Sequence, residues 1–255
     1  MGFLERILEH RRPLFAICFS LLTGWLDAYC LRFFGAFAGM QTGNFLTFSL
    51  DIADGDTAHA MLCLESIMCN ILGVATYNVL SKNRSFGTID TTVFCGPLFF
   101  AALLLADIVA STQGWDWSGG AKHTIGFLSF GMGIQNAFTN GPKRDVKVMT
   151  SFVTGNLHKV VNTLTDRIIR GKSTPAAMYD VVVALATIVG LTLGALLGAH
   201  WDSKVSKKWM MTPAGAWFLI VGMAHDYFFG HFGEILREPK ESNEQSKELP
   251  LAQKK

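Results

Sequence analysis

The sequence predicts an all-α fold: a polytopic helical membrane protein of six transmembrane spans plus two re-entrant or broken half-helices, arranged as two inverted repeats. Three observations carry this: an apolar composition, an internal repeat and the placement of the basic residues. Of the 255 residues half are apolar, twenty are Phe and 16% are charged, which sets the chain apart from soluble domains of this size. Mean hydropathy is +0.31 and is held down by the polar ends. The expected organisation is a cytoplasmic N-terminus over 1–13, one membrane repeat over 14–111, a second over 121–230, and a disordered cytoplasmic tail over 234–255.

In chain order, Met1 to Arg12 is short, amphipathic and basic at its end. Leu14 to Leu31 has the length needed to cross the hydrocarbon core; no small-residue cleavage site follows, so it reads as an uncleaved first span. Phe33 to Leu50 is apolar but broken by Gly35, Gly39 and Gln41 to Asn44. Ala58 to Leu80 and Thr92 to Ala110 are clean spans. His123 to Phe138 is glycine-rich, and Lys147 to Ile168 is only weakly apolar. Pro175 to Ala199 is a strong span with Gly190, Gly194 and Gly198 at four-residue spacing, the pattern of a close helix contact. That contact serves intramolecular packing or a homodimer equally well. Pro213 to Gly230 is the last span.

The repeat centres on Gly24 to Asn44, with a second version from Gly133 to Asn156 that is three residues longer. Gly24-x-x-Asp27-Ala28 answers to Gly133-x-x-Asn136-Ala137, and Thr42-Gly43-Asn44 to Thr154-Gly155-Asn156. With Gly35 and Gln41, this frame resembles the YoaK family, multi-pass membrane proteins catalogued as a domain of unknown function. The resemblance runs from about Leu14 to Gly230 and implies a membrane protein with a shared site, but no substrate. The second copy departs from the first in having Asn136 for an acid and an inserted Pro142-Lys143-Arg144.

Charge placement sets the number of crossings. If neither Thr-Gly-Asn segment crosses, Lys82, Arg84, Lys143, Arg144, Lys147, Arg167, Arg170 and Lys172 join the basic N-terminus and the tail in the cytoplasm. If both cross, most loop cations fall on the far side. The first arrangement is favoured, with Lys204, Lys207 and Lys208 as its misfit. Each repeat then has three crossings, so the halves are inverted and the cell membrane holds the chain with both termini cytoplasmic. Such broken segments aim half-helix ends at a solute.

The expected substrate-binding set is Asp27, Gln41, Thr42, Gly43 and Asn44 facing Gln135, Asn136, Thr154, Gly155 and Asn156. Gly43 and Gly155 are expected to permit a sharp turn, and Thr42 or Thr154 to cap the half-helix that begins there. The freed amides and positive helix end favour a small polar or anionic solute. Asp27 supplies charge and a route for proton coupling, since a carboxylate in a span is costly. Its structural alternative is a hydrogen bond to Asn136, while Asn44 and Asn156 serve the broken backbone as readily as a solute. Asp107, His225 and Asp226 extend a candidate proton relay, with interfacial anchoring as the plainer role.

Other classes find little support. No hydrolase, zinc or nucleotide motif occurs at usable spacing, so no enzyme activity, cofactor or metal is expected. An aspartyl pair of Asp27 and Asp107 has nothing in the sequence to unite it. The five cysteines lack paired spacing and read as small buried hydrophobes. No basic patch with interleaved aromatics points to nucleic acid. The partners expected are the lipid bilayer and the solute. A non-transporting scaffold or sensor is the main alternative to a transporter.

Overall fold

The computed structural model describes residues 11–82, 91–112, 124–140, 153–171, 174–204 and 211–226. The N-terminal stretch before Arg11, the Pro142-Lys143-Arg144 insertion and the tail over 234–255 lie outside them. The described residues form eight α-helices and no strand: α1 (Arg11–Phe34), α2 (Gln41–Asp54), α3 (Thr57–Lys82), α4 (Thr91–Thr112), α5 (Thr124–Asn140), α6 (Val153–Arg170), α7 (Pro175–Lys204) and α8 (Thr212–Asp226). Three are long and apolar enough to cross a membrane, over Arg12–Phe34, Thr57–Leu80 and Pro175–His200. Gly96–Thr112 of α4 is apolar but shorter. The described residues are thus all helical, with apolar segments of membrane-spanning length. α2, of 14 residues, is too short to span.

The first half opens with a helix that stops early. Gly35 ends α1 with φ of +69°, a left-handed conformation that suits glycine, and its amide bonds the Leu31 carbonyl at 3.1 Å. Residues 35–40 run without regular structure before α2 begins. Gly55, with φ of +81°, closes α2 in the same way, and two residues later α3 starts. α2 therefore folds back along α3 as a hairpin.

The main packing partners lie in opposite halves of the chain. α1 lies along α7, and α3 along α5. Both crossings are made by glycine against bare backbone. A Cβ on Gly24 would strike the Leu191 carbonyl, and one on Gly194 the Leu21 carbonyl. Likewise Gly133 meets the Asn70 carbonyl and Gly73 that of Phe130. Gly190 and Gly198 extend the first contact, where an added Cβ would stand 2.6 Å and 2.7 Å from the carbonyls of Ile17 and Trp25. The four-residue glycine spacing on α7 thus serves an intramolecular contact, because glycine faces allow this backbone approach.

α4 packs on α8 and α5, and α8 also touches α1. Their meeting point is a cluster of rings. Phe99 and Phe218 lie 4.2 Å apart between centroids, and Phe19 packs edge-on against Phe138 at 5.5 Å. All four are fully buried. This cluster caps one flank of the polar seam described below.

Adding a methyl group separates tight from open glycines. Gly194→Ala and Gly133→Ala should each abolish monodisperse folded protein or lower its thermal midpoint in detergent by about 2–12 °C, the effect of a core overpacking of about 1–3 kcal/mol. Gly155→Ala, where a Cβ meets nothing within 4 Å, should leave that midpoint unchanged. Size-exclusion chromatography with a thermal ramp reads both.

Candidate functional site

The irregular stretch 35–40, Gly-Ala-Phe-Ala-Gly-Met, lies between α1, α3 and α5 and carries the site. Ala36 and Ala38 are wholly buried, and a Cβ on Gly39 would come within 2.8 Å of the Met132 methyl carbon on α5. The wholly buried positions are thus held by small residues, while Phe37 and Met40 are only partly buried. Backbone in such a place must find partners for every amide and carbonyl, and the polar side chains of the neighbouring helices supply them.

Asp27 on α1 accepts a hydrogen bond from the Gly39 amide through Oδ1 at 2.6 Å. The amides of Ala38 and Met40 flank the same carboxylate, while no hydrogen-bond partner reaches its Oδ2. The group is 5% exposed. A cluster of amides just before a helix start is an anion-binding arrangement, and here the chain's own carboxylate fills it. Asp27 therefore bonds within its own half, not to Asn136.

Asn44, fully buried on the first turn of α2, is the hub of a second network. Its Oδ1 accepts from the Phe37 amide at 2.8 Å. Its Nδ2 donates to the Phe37 carbonyl at 2.7 Å, to Gln41 Oε1 at 2.9 Å and to Ser66 Oγ at 2.9 Å. Ser66 Oγ also donates to the Phe37 carbonyl at 2.8 Å and lies 2.7 Å from Ser129 Oγ on α5. Gln41 and Asn70 both donate to the Ala38 carbonyl, at 2.8 Å and 3.2 Å.

The triplets act differently from the sequence expectation. The sharp turn sits at residues 35–40, not at Gly43, which is inside α2 under the Phe37 ring, 2.6 Å from where a Cβ would stand. Thr42 is exposed and does not cap; the cap position is Met40, with no side-chain hydrogen bond. In the second half Thr154 and Gly155 are exposed in the first turn of α6 and Asn156 is buried. Residues 141–152 before them lie outside the described residues. Gln135 is fully buried and donates to the Phe19 carbonyl at 2.9 Å and to Thr23 Oγ1 at 2.8 Å on α1. Its Oε1 and Asn136 Oδ1 have no hydrogen-bond partner. α2 packs on α3 and α6 on α7, so each triplet is held by its own half.

The candidate relay residues have other engagements. Asp107, 1% exposed, accepts from the amides of Met211 and Thr212, the latter at 2.6 Å, and from Thr212 Oγ1 at 2.6 Å. It caps the start of α8 from α4, as Asp27 serves the start of α2 from α1. The two acids thus sit at different helix starts. His225 is enclosed by Phe15, Phe19 and Phe138, with ring centroids at 5.0, 6.3 and 5.4 Å. The side chain of Asp226 lies outside the described residues.

One group of metal-ligand type occurs among the described residues: Asp51, His59 and Cys63, with ligand atoms within 4.8 Å of one another. His59 Nδ1 lies 2.8 Å from Asp51 Oδ2 and Nε2 lies 3.0 Å from the Phe34 carbonyl. The ring thus bridges the Asp51 carboxylate and the Phe34 carbonyl. It pins the end of α1 to α2 and α3.

The family profile described as "Protein of unknown function (DUF1275)" matches residues 15–224. The chain belongs to the DUF1275 family. No curated protein and no solved structure matches it. In this DUF1275 protein the residues not singled out from sequence are Ser66, Asn70 and Ser129, which close the network, and Glu65, which faces the other way. Ser66 and Asn70 are one helical turn apart on α3, the spacing that puts two polar groups on one face.

Replacing the hub should cost more than replacing its neighbour. Asn44→Ala leaves the buried Phe37 amide without its acceptor and should lower unfolding free energy by about 3 kcal/mol, against about 1 kcal/mol for Gln41→Ala. Thermal unfolding in detergent would read the ranking, and equal effects would remove Asn44 from its central place.

Proposed function

We propose that this protein is a secondary transporter for a small polar or anionic solute, most specifically a proton–anion symporter centred on Asp27. In this reading it sits in the cell membrane with both termini cytoplasmic. Six spans and two half-membrane segments form two inverted repeats, and no enzyme chemistry is involved. The YoaK likeness of the two Thr-Gly-Asn frames belongs to the same reading.

The packing supports the repeat. Exchange of α1 with α5, α2 with α6, α3 with α7 and α4 with α8 turns the α1–α7 contact into α5–α3 and the α2–α3 contact into α6–α7. It turns α4–α5 into α8–α1 as well. The glycine crossings follow the same exchange. Gly24 against Leu191 becomes Gly133 against Asn70, and Gly194 against Leu21 becomes Gly73 against Phe130. Phe99 and Phe218 exchange with each other across their ring contact. Halves with three crossings each lie in opposite senses, the architecture of many secondary transporters.

The bond between Asp27 Oδ1 and the Gly39 amide carries the functional reading. An amide cluster before a helix start favours an anion, and ionised Asp27 occupies it. A proton taken up from solution on the unbonded Oδ2 neutralises the carboxylate and weakens its hold on the amide. A solute anion then takes the vacated position. Proton and anion are carried together, and neither binds well alone, because an unneutralised carboxylate repels the guest. This resolves the conflict between an acidic residue and an anionic solute in one site.

The non-transporting scaffold or sensor stands second. The observation in its favour is Asn44, whose polar groups are all used within the chain.

Proteoliposomes with an imposed proton gradient test the proposal against a panel of labelled inorganic and carboxylic anions. Wild type should accumulate one class above empty liposomes. Folded Asp27→Asn, neutral at every pH, should lose gradient-driven accumulation while retaining exchange of that anion for itself. No uptake of any solute by folded wild type, together with strong destabilisation in Asp27→Asn, would hand the protein to the scaffold reading.

A further inference from the structure

The joint between α2 and α3 gathers three side chains of metal-ligand type away from the Asp27 seam. Asp51 lies in the last turn of α2, and His59 and Cys63 lie four residues apart on α3, one above the other on a single face. The backbone between them is fixed. Gly55 ends α2 with φ of +81°, the Asp56 amide bonds the Asp51 carbonyl at 2.8 Å, and Asp56 Oδ1 accepts from the His59 amide at 3.1 Å at the start of α3. A carboxylate oxygen, a ring nitrogen and a sulfur are thereby held within 4.8 Å of one another. A tetrahedral ion bound to such donors holds them about 3.3–3.6 Å apart, so side-chain shifts of about 1 Å close the set.

The second contact of the ring gives this group its direction. His59 Nε2 lies 3.0 Å from the Phe34 carbonyl, which only accepts, so in the neutral ring Nε2 is the nitrogen that carries the proton. Nδ1 then turns a lone pair toward Asp51 Oδ2, 2.8 Å away. Two lone pairs at that distance call for a positive charge between them, and a proton or a metal ion supplies it. The Cys63 sulfur favours the metal, because it adds nothing to a proton shared by nitrogen and oxygen but completes a three-ligand set. A ligating histidine commonly gives its other N–H to a backbone carbonyl, which orients the ring. Gly35 leaves room for this: a Cβ there would stand 2.7 Å from Nε2.

The second half holds the matched place with protein cations. Gly73 and Gly194 take equivalent positions in the glycine crossings, and counting back from them sets Asp180 opposite His59 and Ala184 opposite Cys63. Asp180 pairs with Lys159 at 3.0 Å and with Arg12 at 3.3 Å, which ties α7 to α6 and α1. In the first half a ring and a thiol stand at those positions, and a bound cation would tie α3 to its neighbours in the same way. The His59 and Asp51 side chains are 25% and 17% exposed, while Cys63 is buried. An ion therefore enters from the water-facing end of α3 and meets the sulfur last. One nitrogen, one sulfur and one carboxylate suit zinc and its neighbours rather than magnesium or calcium, which take sets of oxygens.

We propose that Asp51, His59 and Cys63 form a binding site for a zinc-type divalent transition-metal ion, which clips α2 and α3 to the end of α1. On binding, the Cys63 thiol gives its proton to water and the thiolate sulfur donates an electron pair to the ion, with no change of oxidation state. The site is separate from the Asp27 seam and independent of what the protein transports.

Cobalt(II) titrated into tag-free, chelator-washed full-length protein in detergent tests this. Wild type should develop the intense near-ultraviolet absorption of a cobalt–thiolate bond, saturating at one ion per chain, and zinc should displace it. The band should vanish in Cys63→Ala, which carries the residue found at the matched place of the second half, and persist in Cys69→Ser. Asp51→Asn should weaken cobalt binding at least about tenfold, equivalent to about 1.4 kcal/mol. Zinc should raise the thermal midpoint of wild type and leave that of Cys63→Ala unmoved. The proposal is overturned by the absence of a saturable band, by a band that survives in Cys63→Ala or is lost in folded Cys69→Ser, by full affinity in folded Asp51→Asn, or by a wild-type midpoint that zinc does not raise. Gel filtration establishes folding of each variant. Should Asp51→Asn fail to fold, the two cysteine arms and the zinc shift decide alone.

Discussion

The polar network between α1, α3 and α5 answers to one constraint: the backbone of residues 35–40 is buried without being helical. An amide or carbonyl without a partner in such a place costs several kcal/mol, so the surrounding helices carry groups that would otherwise be a burden. Asp27 serves Gly39, Asn44 serves Phe37, and Gln41 and Asn70 serve Ala38. The small residues of the stretch follow from the same need, since only alanine and glycine leave the three helices close enough for these bonds. Asp107 repeats the solution at the start of α8, where the cap again comes from a different helix.

The second organising feature is the pairing of helices across the two halves. Glycine places α1 against α7 and α3 against α5 at backbone contact. These crossings fix the helices that carry Asp27, Asn70, Ser129 and Gln135, and so fix the polar seam. A shared core of phenylalanines ties α4 and α8 to the same centre.

Much of this was legible in the sequence because membrane proteins are restrictive. A carboxylate or an amide inside an apolar run is rare enough to notice, which is how Asp27 and Asn44 stood out. The four-residue glycine spacing on α7 spoke for a tight contact on its own. What stayed hidden was the partner of each group. The Thr-Gly-Asn triplet looks like a turn, yet it is the first turn of a helix, and the break falls earlier, at Gly35 to Met40. Gly43 is small because Phe37 packs over it, which no local pattern announces. Ser66, Asn70 and Glu65 lie in an ordinary helical run. Only the third dimension shows that two of them face a polar network and the third faces a greasy groove.

The cross-half pairing bears on how the chain is made. Synthesis is directional, so α1 and its buried carboxylate leave the ribosome long before α7 exists to cover the Gly24 face. During that interval the nascent first half has to shelter its glycine-lined surfaces against lipid or an insertion factor. It closes only when the last third of the chain arrives. Assembly of such long-range contacts is slow. A truncation that spares every residue of the Asp27 seam but removes α7 should therefore leave a polypeptide destined for quality control.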